Sequence, residues 1–127
     1  MRAIDTNLLV RLIVRDDPSQ VAAAETFIAQ GAWISHLVLA EAVWVLDAVY
    51  RRSTGQIATA VRMLLDHRQL SLQDAETVAA ALQHFHGDAA PDFSDCLLVE
   101  IARKAGHLPL GTFDRRLQRL RGVVQPR

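Results

Sequence analysis

Cysteine is almost missing from this sequence. Cys96 is the only one among 127 residues, which excludes a disulfide framework and a cysteine-built zinc site and points to a reducing compartment. Net charge is missing as well, with 14 basic and 14 acidic side chains. A long apolar run is also lacking: the most hydrophobic window, Leu37 to Val49, is broken by Glu41 and Asp47 and cannot span a bilayer unaided. At the start, Asp5 falls where a signal peptide needs apolar residues, and Arg11 interrupts the run from Leu8 to Val14. Repeats, linkers and low-complexity segments are absent. What is there is a chain that is 50% hydrophobic, too apolar and too evenly charged for disorder and long enough for one core. The expectation is a single domain over residues 1–127, soluble and cytoplasmic, with no membrane partner.

The zero net charge hides an asymmetry. Residues 1–100 carry seven basic and thirteen acidic side chains, whereas residues 101–127 carry seven basic ones against Asp114 alone. Such a tail either attracts phosphates or lines solvated helix faces, and charge alone leaves both open.

Local signals alternate between strand and helix. Arg2-Ala3-Ile4 is a short strand, followed by the capping cluster Asp5-Thr6-Asn7 and a largely buried helix from Leu8 to Val14. Asp17-Pro18 opens a second helix that Gly31 ends. Ala32 to Ile34 is a strand, and Ser35 caps a long helix to about Arg52. A helix from Thr54 to His67, a weak strand at Leu70 to Leu72, and an Ala-rich helix from Asp74 to His86 follow. A helix from about Asp95 to Ala105 ends at Gly106, and His107 to Thr112 is strand-like although Pro109 argues for an edge or a short strand. Asp114 starts a basic helical turn, and Val123-Val124 is a candidate final strand. Short strands alternating with helices predict an α/β sheet, mostly parallel, with helices on both faces.

In an open parallel sheet, ligands bind beyond the carboxyl ends of the strands. That rule selects Asp5, Asp95 and Asp114. Each has a plain alternative as a helix cap, with Asp92 and Asp95 resembling a capping box. Glu41 is different, because Leu37 to Leu46 is apolar apart from this carboxylate, and its helical neighbours Leu37, Val38, Trp44 and Val45 include no base. A helix hydrophobic all round is expected to be buried. A carboxylate there must be protonated, meet a distant arginine or bind a metal. Several acids converging at one edge repel one another unless a cation lies between them. Oxygen donors with few candidate histidines suit Mg²⁺ or Mn²⁺.

Asp5-Thr6-Asn7 after a short strand, Glu41 in an apolar helix, Asp95 in Asp92-Phe93-Ser94-Asp95-Cys96-Leu97, and Asp114 in Thr112-Phe113-Asp114 form an ordered series. It resembles the PIN-domain ribonucleases, most closely the VapC-type toxins of bacterial toxin–antitoxin pairs, over essentially the whole chain. The resemblance implies a PIN-like α/β/α sandwich with a short, mostly parallel central sheet. It implies an endoribonuclease with a metal-activated water as nucleophile, in which Asp5, Glu41, Asp95 and Asp114 hold one or two Mg²⁺ or Mn²⁺ ions. Asn7 and Thr112 match positions that support these acids by hydrogen bonding, while Ser94 and Asp92 lie beside the third acid. In that setting Arg115, Arg116 and Arg119, which follow Asp114, are candidates for RNA phosphate contacts. Homodimerisation and neutralisation by a cognate VapB-type antitoxin are implied by the resemblance alone.

The rival from another class is a phosphoacceptor receiver domain. Its acidic pair would be Asp16 and Asp17, its phosphorylated residue Asp66 and its late lysine Lys104. It requires Leu8 to Val14 to be a strand, and Lys104 is followed by Ala105 rather than the usual proline. A haloacid-dehalogenase-type phosphatase needs an Asp where Asn7 stands. A non-catalytic binding module predicts RNA binding without a divalent ion. His84 and His86, two residues apart, make a poor metal pair on a helix. Cys96, Trp33 and Trp44 read as core residues.

Overall fold

Capping side chains start most of the helices. Asp5 Oδ1 accepts the Leu8 N–H at 2.9 Å and begins α1 (Thr6–Val14). Asp17 does the same for Gln20 at 3.1 Å ahead of α2 (Pro18–Ile28), where Pro18 occupies a first-turn position that lacks a partner for an N–H anyway. Ser35 caps α3 (His36–Ala48) through the Val38 N–H, Ser53 and Gln56 form a reciprocal box at α4 (Thr54–Asp66), and Asp74 caps α5 (Ala75–His84). The last long helix, α6 (Phe93–Ala105), closes at Gly106, whose positive φ of 83° is one that side chains disfavour.

The computed structural model describes residues 1–87 and 91–127. Strands β1 (Arg2–Ala3), β2 (Ala32–Ile34) and β3 (Leu70–Leu72) form a parallel sheet in that order, with Arg2 opposite Ala32 and Ala32 opposite Leu70. Parallel neighbours need crossover segments, and α1 with α2, then α3 with α4, supply them. The core holds Ile4, Leu9, Ile34, Leu39, Leu46, Val61, Val78 and Phe93, with helices packed around the short sheet in the α/β/α arrangement expected. Phe93 is fully buried and meets Phe85 edge-on at 5.6 Å. This anchors the start of α6, because burying an aromatic side chain contributes about 3 kcal/mol.

Several expectations need correction. The C-terminal strand is only β4 (Leu110–Gly111), and it pairs in parallel with β5 (Val123–Val124) in a separate two-stranded sheet rather than extending the central one. The basic turn after Asp114 is a 3₁₀ turn, Leu117–Arg119. Helix α3 stops at Ala48, since Arg51 takes a left-handed φ of 53° and the Arg52 N–H turns back to the Leu46 carbonyl. In α1 only Leu9 and Val10 are buried, the other apolar residues packing partly.

The largest correction concerns α3. It is apolar all round, yet only Leu39, Ala42, Val43 and Leu46 are buried. Leu37, Glu41 and Trp44 stand on the opposite face, with Trp44 66% exposed. Its neighbours α1, α4 and α6 cover one side of this helix and no more. Trp33 is also partly exposed, whereas Cys96 is buried as expected. Leu8 to Val14 being a helix removes the receiver reading, and Lys104 is engaged with Asp74 at 2.7 Å and with Glu76 at 3.4 Å.

Candidate active site

The four acids selected from the sequence sit on four different segments. Asp5 precedes α1, Glu41 lies mid-way along α3, Asp95 is in the first turn of α6, and Asp114 follows β4. Glu41 is exposed rather than buried, and its partner is neither a base nor another apolar residue. The Thr6 hydroxyl, one residue after Asp5, donates to Glu41 Oε2 at 2.7 Å and ties the start of α1 to α3. Sequence reasoning passed over Thr6 because it was read as part of a capping cluster, and only the packing of α1 on α3 reveals its reach.

A second neighbourhood forms around Asp95. Its carboxyl is half-buried and pushed above the ordinary aspartate range, first by burial and then by the negative charges of Asp92 and Asp114. Arg116 pulls the other way without cancelling them. The expected capping box at Asp92 is not formed: the Asp92 side chain makes no capping bond, and its backbone carbonyl accepts from Asp95 and Cys96 instead. The Asp92 carboxylate is therefore not committed to the helix end.

Asp114 is held by its own turn. Its Oδ1 accepts the N–H groups of Arg116 at 2.8 Å and Leu117 at 3.2 Å, while its own N–H donates to Thr112 Oγ1 at 3.0 Å. Gln118 closes the turn by donating to the Thr112 carbonyl at 3.1 Å. Thr112 thus fixes where Asp114 can point. Ser94 is exposed beside Asp95, and Asn7 lines a shallow groove with Asp5, Arg11 and Gln20. Arg115, Arg116 and Arg119 are exposed around the same turn.

The structure therefore groups Asp5 with Thr6 and Glu41, and Asp95 with Asp92, Asp114 and Arg116. Among the described residues, no three His, Cys, Asp or Glu side chains stand close enough together to hold a metal ion. The donor chemistry nevertheless fits a hard divalent cation. Every candidate ligand offers oxygen, and the mutual repulsion acting on Asp95 is what a cation would relieve. The bonds at Asp5, Glu41 and Asp114 each engage one carboxylate oxygen, and a carboxylate has two.

The family model for the PIN domain matches residues 3–123. The chain belongs to the PIN domain family, whose members are typically nucleases that use divalent metals. No curated protein and no solved structure gives a significant match. Among the described residues, no helix is long and apolar enough to cross a membrane.

Proposed function

We propose that this chain is a metal-dependent endoribonuclease and the toxin of a VapBC-type toxin–antitoxin pair. The observation that carries the nuclease reading is the Asp95 neighbourhood: a half-buried carboxyl opposed by Asp92 and Asp114, beside Arg116, within a PIN domain. Asp5, Glu41, Asp95 and Asp114 would hold one or two Mg²⁺ or Mn²⁺ ions, since all-oxygen ligand sets favour these cations. A bound divalent ion supplies an activated water and offsets the charge that builds on a phosphodiester.

The remaining work falls to the chain itself. Thr6 holds Glu41 and Thr112 fixes the turn that carries Asp114, while Asn7, Ser94 and Asp92 would serve as polar groups around the ion. Arg115, Arg116 and Arg119 would grip RNA phosphates along the edge that leads into the site. The toxin assignment rests on the order and spacing of the four acid motifs. An apolar groove of about 270 Å³ between α1, α2 and α4, lined by Leu12, Ile13, Ile28 and Met63, supports its corollary of an antitoxin segment as partner. A homodimer working in the cytoplasm completes the proposal.

The test incubates purified protein with total RNA and Mg²⁺ or Mn²⁺, beside EDTA and Asp95→Asn controls, and maps new RNA ends by sequencing. Discrete ends that need both the ion and Asp95 are expected, and metal- or Asp95-independent ends would refute the mechanism. For the toxin role, induced expression is expected to arrest growth with wild-type protein and not with Asp95→Asn. Sedimentation of the purified protein checks the dimer.

A further inference from the structure

The exposed face of α3 carries Glu41 and, one turn further on, Trp44. Trp44 also forms one wall of a notch of about 80 Å³ whose polar lining is Asp47, Arg52, Thr54, Asp92, Ser94 and Arg116, two acids and two guanidinium groups among them. Trp44 is therefore on the same exposed face of α3 as Glu41 and shares the notch with Asp92 and Ser94, which precede Asp95. A tryptophan with two-thirds of its surface in solvent loses burial energy that a core position would provide. Its place beside two guanidinium groups gives that exposure a use.

We infer that Trp44 is the stacking platform for one unpaired base of a single-stranded RNA substrate, with Arg52 and Arg116 along the notch facing the adjoining phosphates. Indole presents a wide π face, every base has a π face to lay on it, and stacking of this kind is tolerant of sequence. Guanidinium groups beside an aromatic surface match a strand that alternates bases with phosphates, with Asp47 and Asp92 confining the phosphates to the arginine side, whereas an apolar protein segment has no counterpart for these charged groups. Bases paired within an A-form helix are not free to stack on a side chain, so the platform selects unpaired RNA: a loop, a bulge or an end. This assigns Trp44 a positioning role for the proposed reaction. It holds the nucleotide next to the scissile phosphate and touches none of the reacting atoms.

Although the inference rests on the nuclease reading, its test is separable from it. In the Asp95→Asn background, where the RNA stays intact, binding of a short end-labelled single-stranded oligoribonucleotide is followed by fluorescence anisotropy, beside the same sequence annealed as a duplex. Trp44→Ala and Trp44→Leu are expected to weaken single-strand binding by about 5- to 100-fold, Trp44→Phe by much less, and duplex binding is expected to be indifferent to all three. In the active protein the same substitutions should raise KM more than they lower kcat. Because Trp44 is exposed, thermal melts are expected to stay close to the parent. Trp44→Leu binding like the parent would overturn the inference, since apolar volume without an aromatic face would then suffice. Failure of the parent to bind single-stranded RNA would overturn it too. So would single-strand affinity unchanged in Trp44→Ala together with loss of the dimer in sedimentation, which would assign this face to a protein contact. Cleavage that proves independent of metal or of Asp95 would refute the nuclease reading while leaving the binding comparison intact.

Discussion

Replacing Asp95 by Asn should move stability and activity in opposite directions. The folded protein holds this carboxyl above the ordinary aspartate value of 3.8, through burial and through Asp92 and Asp114. A raised folded-state value means that ionisation opposes folding. The contribution is favourable below the ordinary aspartate range and is lost as pH rises through the folded-state value. At neutral pH the wild-type protein carries that loss in full. Asn keeps the shape, removes the charge and relieves two like-charge contacts. The i,i+3 contact with Asp92 alone corresponds to about 0.2–0.5 kcal/mol. Against this, the first turn of α6 loses a favourable anion, a contribution of about 0.3–1 kcal/mol. Burial and the two neighbouring acids push the carboxyl up, and set against the lost anion at the helix start their removal leaves a net gain between zero and about 1 kcal/mol, discounted for partial exposure. Differential scanning calorimetry without metal should therefore give Asp95→Asn a Tm equal to or up to about 4 °C above wild type at pH 7. The gain should vanish under acidic conditions. Mg²⁺ or Mn²⁺ should raise the wild-type Tm, since a ligand bound only by the folded state stabilises by mass action, and should leave the variant unmoved. Ribonuclease activity should be lost. A variant several degrees less stable than wild type, with or without ion, would refute the reasoning and make Asp95 a structural residue.

Other perturbations probe the supports of the site. Thr6→Val removes the hydroxyl that holds Glu41; activity should fall about 10-fold or more, Thr6→Ser should restore it, and melts should barely change. Glu100 is only 7% exposed and accepts from Arg103 Nε at 3.2 Å, with His84 Nε2 at 3.1 Å, while Arg103 reaches the Arg121 carbonyl at 2.7 Å. Arg103→Ala strips a buried carboxylate of its main cation and releases the C-terminal segment, at a cost of about 2–4 kcal/mol discounted for the half-exposed guanidinium. Glu100→Gln should cost less, and the double variant less than the sum; additive losses in urea unfolding would refute a coupled network. The Cys96 thiol is buried and pushed up to about 11, chiefly by burial and then by Asp95 and Asp92. Iodoacetamide at pH 8 should leave it unmodified in native protein and label it in urea, as mass spectrometry can check.

What the sequence made legible follows the range of each signal. Strands β2 and β3 have the boundaries expected, and Asp17 and Ser35 cap the helices that follow them. Each rests on contacts within a few residues, so a single chain segment carries the information. Exposure could not be read this way. The apolar stretch around Glu41 fits a helix buried on every side, and nothing local reveals that α1, α4 and α6 cover only one of its faces. Trp44 was misread for the same reason. Both C-terminal strands fall where the sequence places them, but nothing local reveals that the first shortens to Leu110–Gly111 and pairs with Val123–Val124 in a sheet of its own.

At Asp5 the capping and the ligand readings, which compete in the sequence, become compatible in the fold. A helix N-terminus collects unpaired N–H groups and the positive end of the macrodipole, both of which favour a carboxylate. In a parallel sheet the helix that follows a strand starts at that strand's carboxyl end, where ligands bind. Asp5 Oδ1 takes the Leu8 N–H, which fixes the side chain without using its second oxygen. The two roles can be separated experimentally because they need different things. Capping needs only an acceptor, and Asn and Ser serve nearly as well as Asp, whereas Ala loses about 1 kcal/mol. Holding a cation needs the charge. Asp5→Asn and Asp5→Ser should therefore melt within about 2 °C of wild type, while Asp5→Ala melts about 3–5 °C lower; all three should lose metal-dependent cleavage alike. If activity instead followed stability, with the Asn and Ser variants active and Ala alone impaired, Asp5 would be a cap and nothing more.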